Sequence, residues 1–167
     1  MRLSTEELPT IMAEEGRYFF SRKYVGSFRN EKQGQRHDKP WGLWYACGDA
    51  WFQWTTSAMP EWVEGWQYLY ELNITEAVLQ LPTPEEILAF DERYRFSDVP
   101  YESYINWAAV ANDFPGLEIC PYQFSLRYSL RWYYGWDVAS GCIWDAQGIE
   151  ELHPIAKRVI AEEWETV

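Results

Sequence analysis

The chain has 167 residues, of which 19% are aromatic, and its formal net charge at pH 7 is −12. This length is enough for one domain with a substantial hydrophobic core. The negative charge repels phosphate backbones at long range, which disfavours broad affinity for nucleic acid.

The first forty residues are predicted to form a short helix, a strand and a long loop. Ser4 can cap a helix with Glu7 at the reciprocal position, so residues 1–16 are predicted to be a helical segment. Residues 17–25 are rich in aromatic and β-branched side chains, which is typical of a strand. Residues 26–40 are polar and contain glycine, which predicts a long loop.

The middle of the chain alternates between strand and helix patterns. Residues 41–48 are a short apolar run between proline and glycine, as in a buried strand, and residues 49–65 have helical spacing of tryptophan. Residues 66–74 and 77–81 are predicted to be two strands joined by a tight turn. Residues 83–96 give the clearest helix, with a threonine cap followed by proline and two glutamates.

The last third of the chain completes the predicted fold. Residues 101–114 are predicted to be a helix and residues 115–122 a strand. Residues 123–144 are mixed and aromatic, and they end in a strand, while residues 146–167 are predicted to be a closing helix bent near Pro154. The pattern predicts one α+β domain with split mixed β-sheets and flanking helices.

Cysteine, histidine and hydropathy patterns exclude several classes of protein. Cys47, Cys120 and Cys142 are widely spaced, and His37 and His153 stand far apart, so no metal site is expected. The chain contains neither a GxGxxG nor a GxxxxGK[ST] motif. It also lacks an apolar run of the ~18 residues needed to span a membrane. We therefore expect a cytoplasmic protein that does not contact a membrane.

Positive charge is concentrated near the beginning of the chain. Half of the 14 lysines and arginines lie in residues 17–39, and these are Arg17, Arg22, Lys23, Arg29, Lys32, Arg36 and Lys39. Such a cluster is compatible with a solvated mobile segment and with a patch that binds phosphates.

Two short stretches concentrate the tryptophans. Residues 40–54 contain four of them and residues 132–144 contain three more with two tyrosines. Three interpretations are open: a densely aromatic core, a stacking surface, or a slot for a flat ring. Core packing explains the large aromatic surface area, but each buried indole N–H then needs a hydrogen-bond acceptor.

Four separated pieces of the chain follow the order of elements in a known fold. They are "FFSRKY", "KPWGLWYACG", the strand pair and helix "YLYELNI…VLQLPTPEEILAF", and "GLEICPY" followed by "GWDVASGCIW". This order, over roughly residues 17–145, resembles the ADP-ribosyltransferase fold of bacterial and phage toxins and effectors. The resemblance implies that NAD is the substrate and that ADP-ribose passes to an unknown protein or nucleic-acid acceptor. It also implies that a cognate antitoxin or inhibitor could exist.

The resemblance assigns roles to particular residues. Departure of nicotinamide leaves an oxocarbenium-like ribose, and Glu118 is the carboxylate expected to stabilise it. Arg22 is expected to grip the pyrophosphate, because a guanidinium binds phosphate oxygens in pairs. The residues expected to contact the cofactor beside Arg22 are Tyr24, Trp44, Tyr45, Ala46 and Trp51.

Each of these assignments has a simpler alternative. Glu118 could be an exposed carboxylate on an edge strand, Arg22 a surface cation, and the aromatic residues part of the core. Many relatives carry a hydroxyl where this chain has Ala46 and Cys47. A second acid, Asp137, could orient a site residue or cap a turn.

Two other functions are compatible with the same residues. The chain could be a non-enzymatic, acidic and aromatic-rich binding or inhibitor protein of phage or bacterial type. It could also be a glycoside hydrolase that uses Glu118 and Asp137 as paired acids.

Overall fold

A computed structural model describes residues 1–97 and 104–167 of the chain. Over these residues the backbone forms nine strands and three α-helices, joined by short 3₁₀ helices. Strand pairs are both parallel and antiparallel, so the predicted α+β class is confirmed. The finer assignment to an ADP-ribosyltransferase-like arrangement of sheets remains a prediction.

The elements follow one another along the chain in this order: β1 (Arg2–Ser4), β2 (Arg17–Ser21), β3 (Leu43–Cys47), α1 (Ala50–Ala58), β4 (Tyr68–Ile74), β5 (Leu79–Gln80), α2 (Pro84–Tyr94), α3 (Trp107–Asp113), β6 (Gly116–Ile119), β7 (Ser140–Ile143), β8 (Ile149–Ile160) and β9 (Glu163–Thr166). The longer 3₁₀ helices are Thr5–Ile11 and Pro60–Gly65. Two compact units divide these elements: the first unit contains Met1–Phe28, Tyr45–Ile74 and Ile149–Val167, and the second contains Arg29–Trp44 and Thr75–Gly148.

The first unit is an antiparallel array in which the first and last strands of the chain, β1 and β9, pair with each other. Its strand order is β1-β9-β8-β4-β2-β3. The core beneath it includes Leu69 and Trp164, which are both fully buried. Phe20 stacks on Trp66 with ring centroids 3.7 Å apart. Aromatic strands therefore supply the apolar surface that holds this array together.

The second unit places β6 between two partners. β5 pairs with β6 in parallel and β7 pairs with β6 in antiparallel fashion. Helix α2 begins as predicted, because the Glu86 N–H donates to the Thr83 hydroxyl and Pro84 takes the first helical position. Of the predicted helix 101–114, the described part is helical from Trp107 to Asp113, and residues 101–103 lie outside the described residues.

The carboxy-terminal segment corrects one prediction. Residues 146–167 contain the long strand β8 and the strand β9, so the predicted closing helix is wrong. β8 pairs with β4 on one side and with β9 on the other. Pro154 lies at a register shift opposite Tyr70, where its missing N–H is tolerated. Pairing along both edges overrides the helical preference of the local sequence.

Two smaller expectations also change. Residues 1–16 contain a 3₁₀ helix preceded by a short strand, and the capping pair of Ser4 and Glu7 is present as predicted. Pro9 inside that helix removes a backbone donor, which disfavours α-helix. The predicted hairpin of residues 66–81 does not form, because β5 pairs with β6 instead of with β4.

The loop of residues 26–40 is present as predicted. Among the described residues, its β-pairing is limited to an isolated bridge between His37 and Ile105. A buried glutamine organises it. The Gln33 side chain donates to the Trp41 carbonyl at 2.6 Å and accepts the Trp41 N–H at 2.9 Å. The loop is therefore tied to the chain just beyond its own end.

A buried carboxylate joins α2 to the aromatic core of the second unit. Asp91 is 4% exposed, accepts the indole N–H of Trp132 at 2.9 Å, and lies 3.6 Å from Nη1 of Arg95. Burial raises the pKa of Asp91, and the contacts with Trp132 and Arg95 act in the opposite direction without cancelling the effect.

Replacing Asp91 with asparagine should remove a pH dependence of stability. A raised pKa means that the folded chain holds the proton more tightly than the unfolded chain, so stability is lost as the pH rises through that pKa. The free energy of unfolding of the natural chain should therefore fall, relative to that of Asp91→Asn, as the pH rises from the ordinary carboxyl value of 3.8. Urea unfolding at a series of pH values measures this difference. Glu85→Gln, at an exposed position of the same helix, is the control, and parallel curves for Asp91→Asn and the natural chain would contradict the expectation.

Candidate functional site

The residues assigned to the site are distributed over both units. The first unit contains Arg22, Tyr24, Tyr45, Ala46 and Trp51, and the second contains Trp44, Glu118 and Asp137. The local surroundings of each group determine what it can do chemically.

Arg22 lies just after β2 and is exposed to solvent. Its guanidinium rests against Gly65, the last residue of the 3₁₀ helix Pro60–Gly65. A Cβ atom at Gly65 would lie 2.7 Å from Nε of Arg22, which is closer than such atoms approach. The absence of a side chain at position 65 therefore permits this position of the guanidinium.

Three indoles form a half-exposed group beside the same 3₁₀ helix, which we call the indole cluster: Trp51, Trp54 and Trp62. Trp51 and Trp54 stack at 5.0 Å, and each lies 6.0 Å from Trp62 between ring centroids. Trp51 packs against the core of the first unit, and Trp62 is 40% exposed. The cluster thus presents aromatic surface in a fixed arrangement.

The 3₁₀ helix contains both Trp62 and the glycine against which Arg22 rests. Residues three apart in a 3₁₀ helix are eclipsed and lie about 6 Å apart along its axis. Trp62 and Gly65 have this spacing, so Trp62 lies one turn before the residue that Arg22 contacts. Arg158 supports the helix end by donating to the carbonyls of Val63 at 2.8 Å and Glu64 at 3.0 Å.

The other assigned residues of the first unit have different surroundings. Tyr24 is 65% exposed and makes an edge contact with Tyr68 at 5.8 Å. Tyr45 and Ala46, in contrast, are buried in β3 with 3% and 4% exposure. Their burial matches the alternative in which they serve core packing.

Glu118 is buried in the middle strand of its unit. It is 4% exposed, and its residue partners across the strands are Gln80 on β5 and Gly141 on β7. The alternative of an exposed carboxylate on an edge strand is therefore wrong. Side chains directly opposite one another share a face of the sheet, and Gly141 adds no side chain to the face on which the carboxylate lies.

A second aromatic group surrounds Trp44. Its ring makes an edge contact with Trp136 at 4.9 Å, and the ammonium of Lys39 lies 5.3 Å above it. Desolvation lowers the pKa of Lys39, although the acidic group of Asp137 acts against this. Burial therefore disfavours the charged form of this ammonium.

Asp137 is already engaged by a cation. Its Oδ1 lies 3.1 Å from Nη2 of Arg127, and both side chains are partly buried. A carboxylate held in an ion pair of this kind is suited to positioning its partner.

Two residues of this arrangement were not singled out from the sequence. Trp62 and Gly65 became candidates only in the structure, where the 3₁₀ helix places Trp62 in the indole cluster and Gly65 against Arg22. The available signal was Pro60, which ends α1 and starts the new turn.

Comparisons with family models, with curated proteins and with solved structures give no match to this chain. The resemblance to ADP-ribosyltransferases therefore remains a prediction from its sequence motifs. No helix among the described residues has the length and apolar character to cross a membrane. Nor do those residues contain a group of three or more metal-binding side chains.

Two tryptophan substitutions should separate core from surface. Trp66 is 5% exposed and stacked on Phe20, so Trp66→Ala should lower the free energy of unfolding by about 3–5 kcal/mol. Trp62→Ala removes a ring that is 40% exposed and should cost no more than about 1 kcal/mol. Urea denaturation measures both values. Equal losses would show that the indole cluster is core rather than surface.

Proposed function

We propose that the protein is an NAD-dependent ADP-ribosyltransferase, or an NAD glycohydrolase, of bacterial or phage type. The bond between nicotinamide and ribose breaks, and nicotinamide leaves with the electron pair. The acceptor, or water, forms a new bond to the ribose carbon and loses a proton. A toxin of this kind would act in the cytoplasm on a protein or nucleic acid.

The burial of Glu118 is the observation that carries this proposal. A carboxylate at 4% exposure, on a strand paired on both sides, is fixed in position and shielded from water. In such surroundings its negative charge can act strongly on an oxocarbenium-like ribose, because positive charge develops there as nicotinamide departs. The residue opposite it on β7, Gly141, adds no side chain to the same face of the sheet.

Arg22 and the indole cluster support the binding half of the proposal. The guanidinium can hold a pyrophosphate with two parallel hydrogen bonds. Neighbouring indoles can stack on a flat ring of the same ligand. Since Arg22 is exposed, its charge is accessible to a dinucleotide.

Glu118→Gln should abolish NAD turnover and leave the fold intact. The amide has the size of the carboxylate but cannot stabilise a cation, so we expect the rate to fall by at least about a hundredfold. Release of nicotinamide, followed by chromatography, measures turnover, and thermal melting measures the fold.

Glu76→Gln is the matched control, because this glutamate is exposed and belongs to the same unit. Its turnover should equal that of the natural chain. Unchanged turnover in Glu118→Gln would remove Glu118 from the mechanism.

Gly65→Ala should weaken NAD binding without unfolding the chain. The added Cβ displaces the flexible end of Arg22 and not backbone, so the melting temperature should change little. We expect KM for NAD to rise about tenfold, with a smaller change in kcat. Arg22→Lys should act in the same direction, because lysine cannot bind bidentately.

Lys23→Gln tests whether this effect is merely loss of surface charge, since Lys23 is exposed beside Arg22. It should leave KM unchanged. A rise in KM for Lys23→Gln equal to that of Gly65→Ala would refute a specific role for Arg22.

The second candidate is a non-enzymatic binding or inhibitor protein, favoured by the half-exposed indole cluster. Thermal melting with and without NAD distinguishes the two functions. Ligand binding to the folded state raises the melting temperature, so an upward shift supports the enzyme. No shift, with tight capture of a protein partner, supports the binding protein.

A further inference from the structure

One segment of the second unit turns several aromatic rings toward solvent. Phe124, Tyr128 and Tyr134 are 64%, 74% and 55% exposed. Phe124 and Tyr128 lie 6.1 Å apart, and Tyr128 and Tyr134 lie 5.9 Å apart, between ring centroids. Leu126 and Leu130 of the same segment point into the core. Clustered exposed rings of this kind are unusual unless they bind something.

Guanidinium groups lie over two of these rings, Tyr128 and Tyr134, and over two further rings, Tyr104 and Phe96. Arg127 lies 5.9 Å above Tyr128 and 5.5 Å above Tyr134. Arg131 lies 4.4 Å above Tyr104, and Arg36 lies 5.1 Å from Tyr104 and 5.7 Å from Phe96. We call these residues the aromatic–arginine surface: Arg36, Phe96, Tyr104, Phe124, Arg127, Tyr128, Arg131 and Tyr134.

The two segments that contain six of these eight residues have a charge opposite to that of the chain. Residues 29–39 and 124–137 together contain six cationic residues and three acidic ones, whereas the whole chain carries −12. The two segments meet where Nε of Arg131 lies 3.5 Å from Oδ1 of Asp38. That pair and the Arg127–Asp137 pair are partly exposed, so a phosphate can compete for their guanidiniums.

We propose that the aromatic–arginine surface binds single-stranded nucleic acid. Unpaired bases stack on exposed rings with little regard to sequence, and arginines contact the phosphates. A duplex offers no free base faces to these rings, and an acidic peptide would use the cations but leave the rings unfilled. The overall negative charge limits the site to a short length of strand. Binding does not depend on the proposed NAD chemistry, and under that chemistry it would select a nucleic-acid acceptor.

Fluorescence anisotropy of a labelled oligonucleotide of about twelve nucleotides, without NAD, tests the proposal. The natural chain should bind it saturably. Tyr128→Ala and Tyr134→Ala should each weaken binding by about fivefold or more, because each removes a stacking face. Arg131→Gln should weaken binding and reduce the slope of log affinity against log salt by about 0.7.

Arg93→Gln is the matched control in the same unit. Arg93 also pairs with a carboxylate, Asp113 at 3.3 Å, and lies 5.0 Å from a tyrosine ring, that of Tyr94. Tyr94 is 6% exposed, so this arrangement offers no stacking face. Substitution of Arg93 should therefore leave binding of the oligonucleotide unchanged.

Three results would overturn the proposal. The first is absence of binding by the natural chain, and the second is ring variants that bind as well as the natural chain. The third is a failure of selectivity, in which a duplex binds equally well or a polyglutamate peptide competes. The last would identify a general anion or protein surface. Circular dichroism and thermal melting establish that each variant is folded, which is expected because the substituted rings are mostly exposed. NAD turnover is measured separately, so either proposal can fail alone.

Discussion

The need of each buried indole N–H for an acceptor organises this protein. Trp107 donates to the His37 carbonyl at 3.0 Å, Trp132 to Asp91 at 2.9 Å, and Trp144 to the Phe114 carbonyl at 2.8 Å. In the first unit, Trp164 donates to Thr5 at 3.0 Å. An unpaired donor in the core costs about 1–3 kcal/mol. These bonds therefore anchor loops and chain ends to the cores, because the acceptors lie on loops and turns as well as on helices.

Other tryptophans do not follow this pattern of a buried indole N–H with an acceptor. Trp136 is 1% exposed, yet its N–H has no hydrogen-bond acceptor among the described residues. The indole cluster is held by ring contacts on a short 3₁₀ helix. The aromatic excess thus contributes to the core in some places and to exposed surface in others. The stretch of residues 132–144 belongs mainly to the core, and that of residues 40–54 is more exposed.

The two proposed ligands share a chemistry but use separate surfaces. A dinucleotide and a single strand of nucleic acid both offer flat rings joined to phosphates. In the second unit guanidiniums lie over the rings of Tyr104 and Tyr128, whereas in the first unit the guanidinium of Arg22 rests against Gly65, on the 3₁₀ helix that also contains Trp62. An acidic chain can bind such anions because opposite local charge acts at short range, where screening by salt is least effective.

Local chemistry was sufficient for part of the fold. The Thr83 cap with Pro84, the polar loop of residues 26–40 and the short strand around Glu118 all follow from neighbouring residues, and all are present. The sequence alone was also sufficient to name Arg22, Glu118 and the tryptophans as candidate site residues. Pairing across long distances decided the rest: residues 149–160 became a strand between β4 and β9, and β5 joined β6. The contact of Arg22 with Gly65 and the burial of Glu118 are likewise tertiary, because no local pattern records which distant backbone will lie beside a side chain.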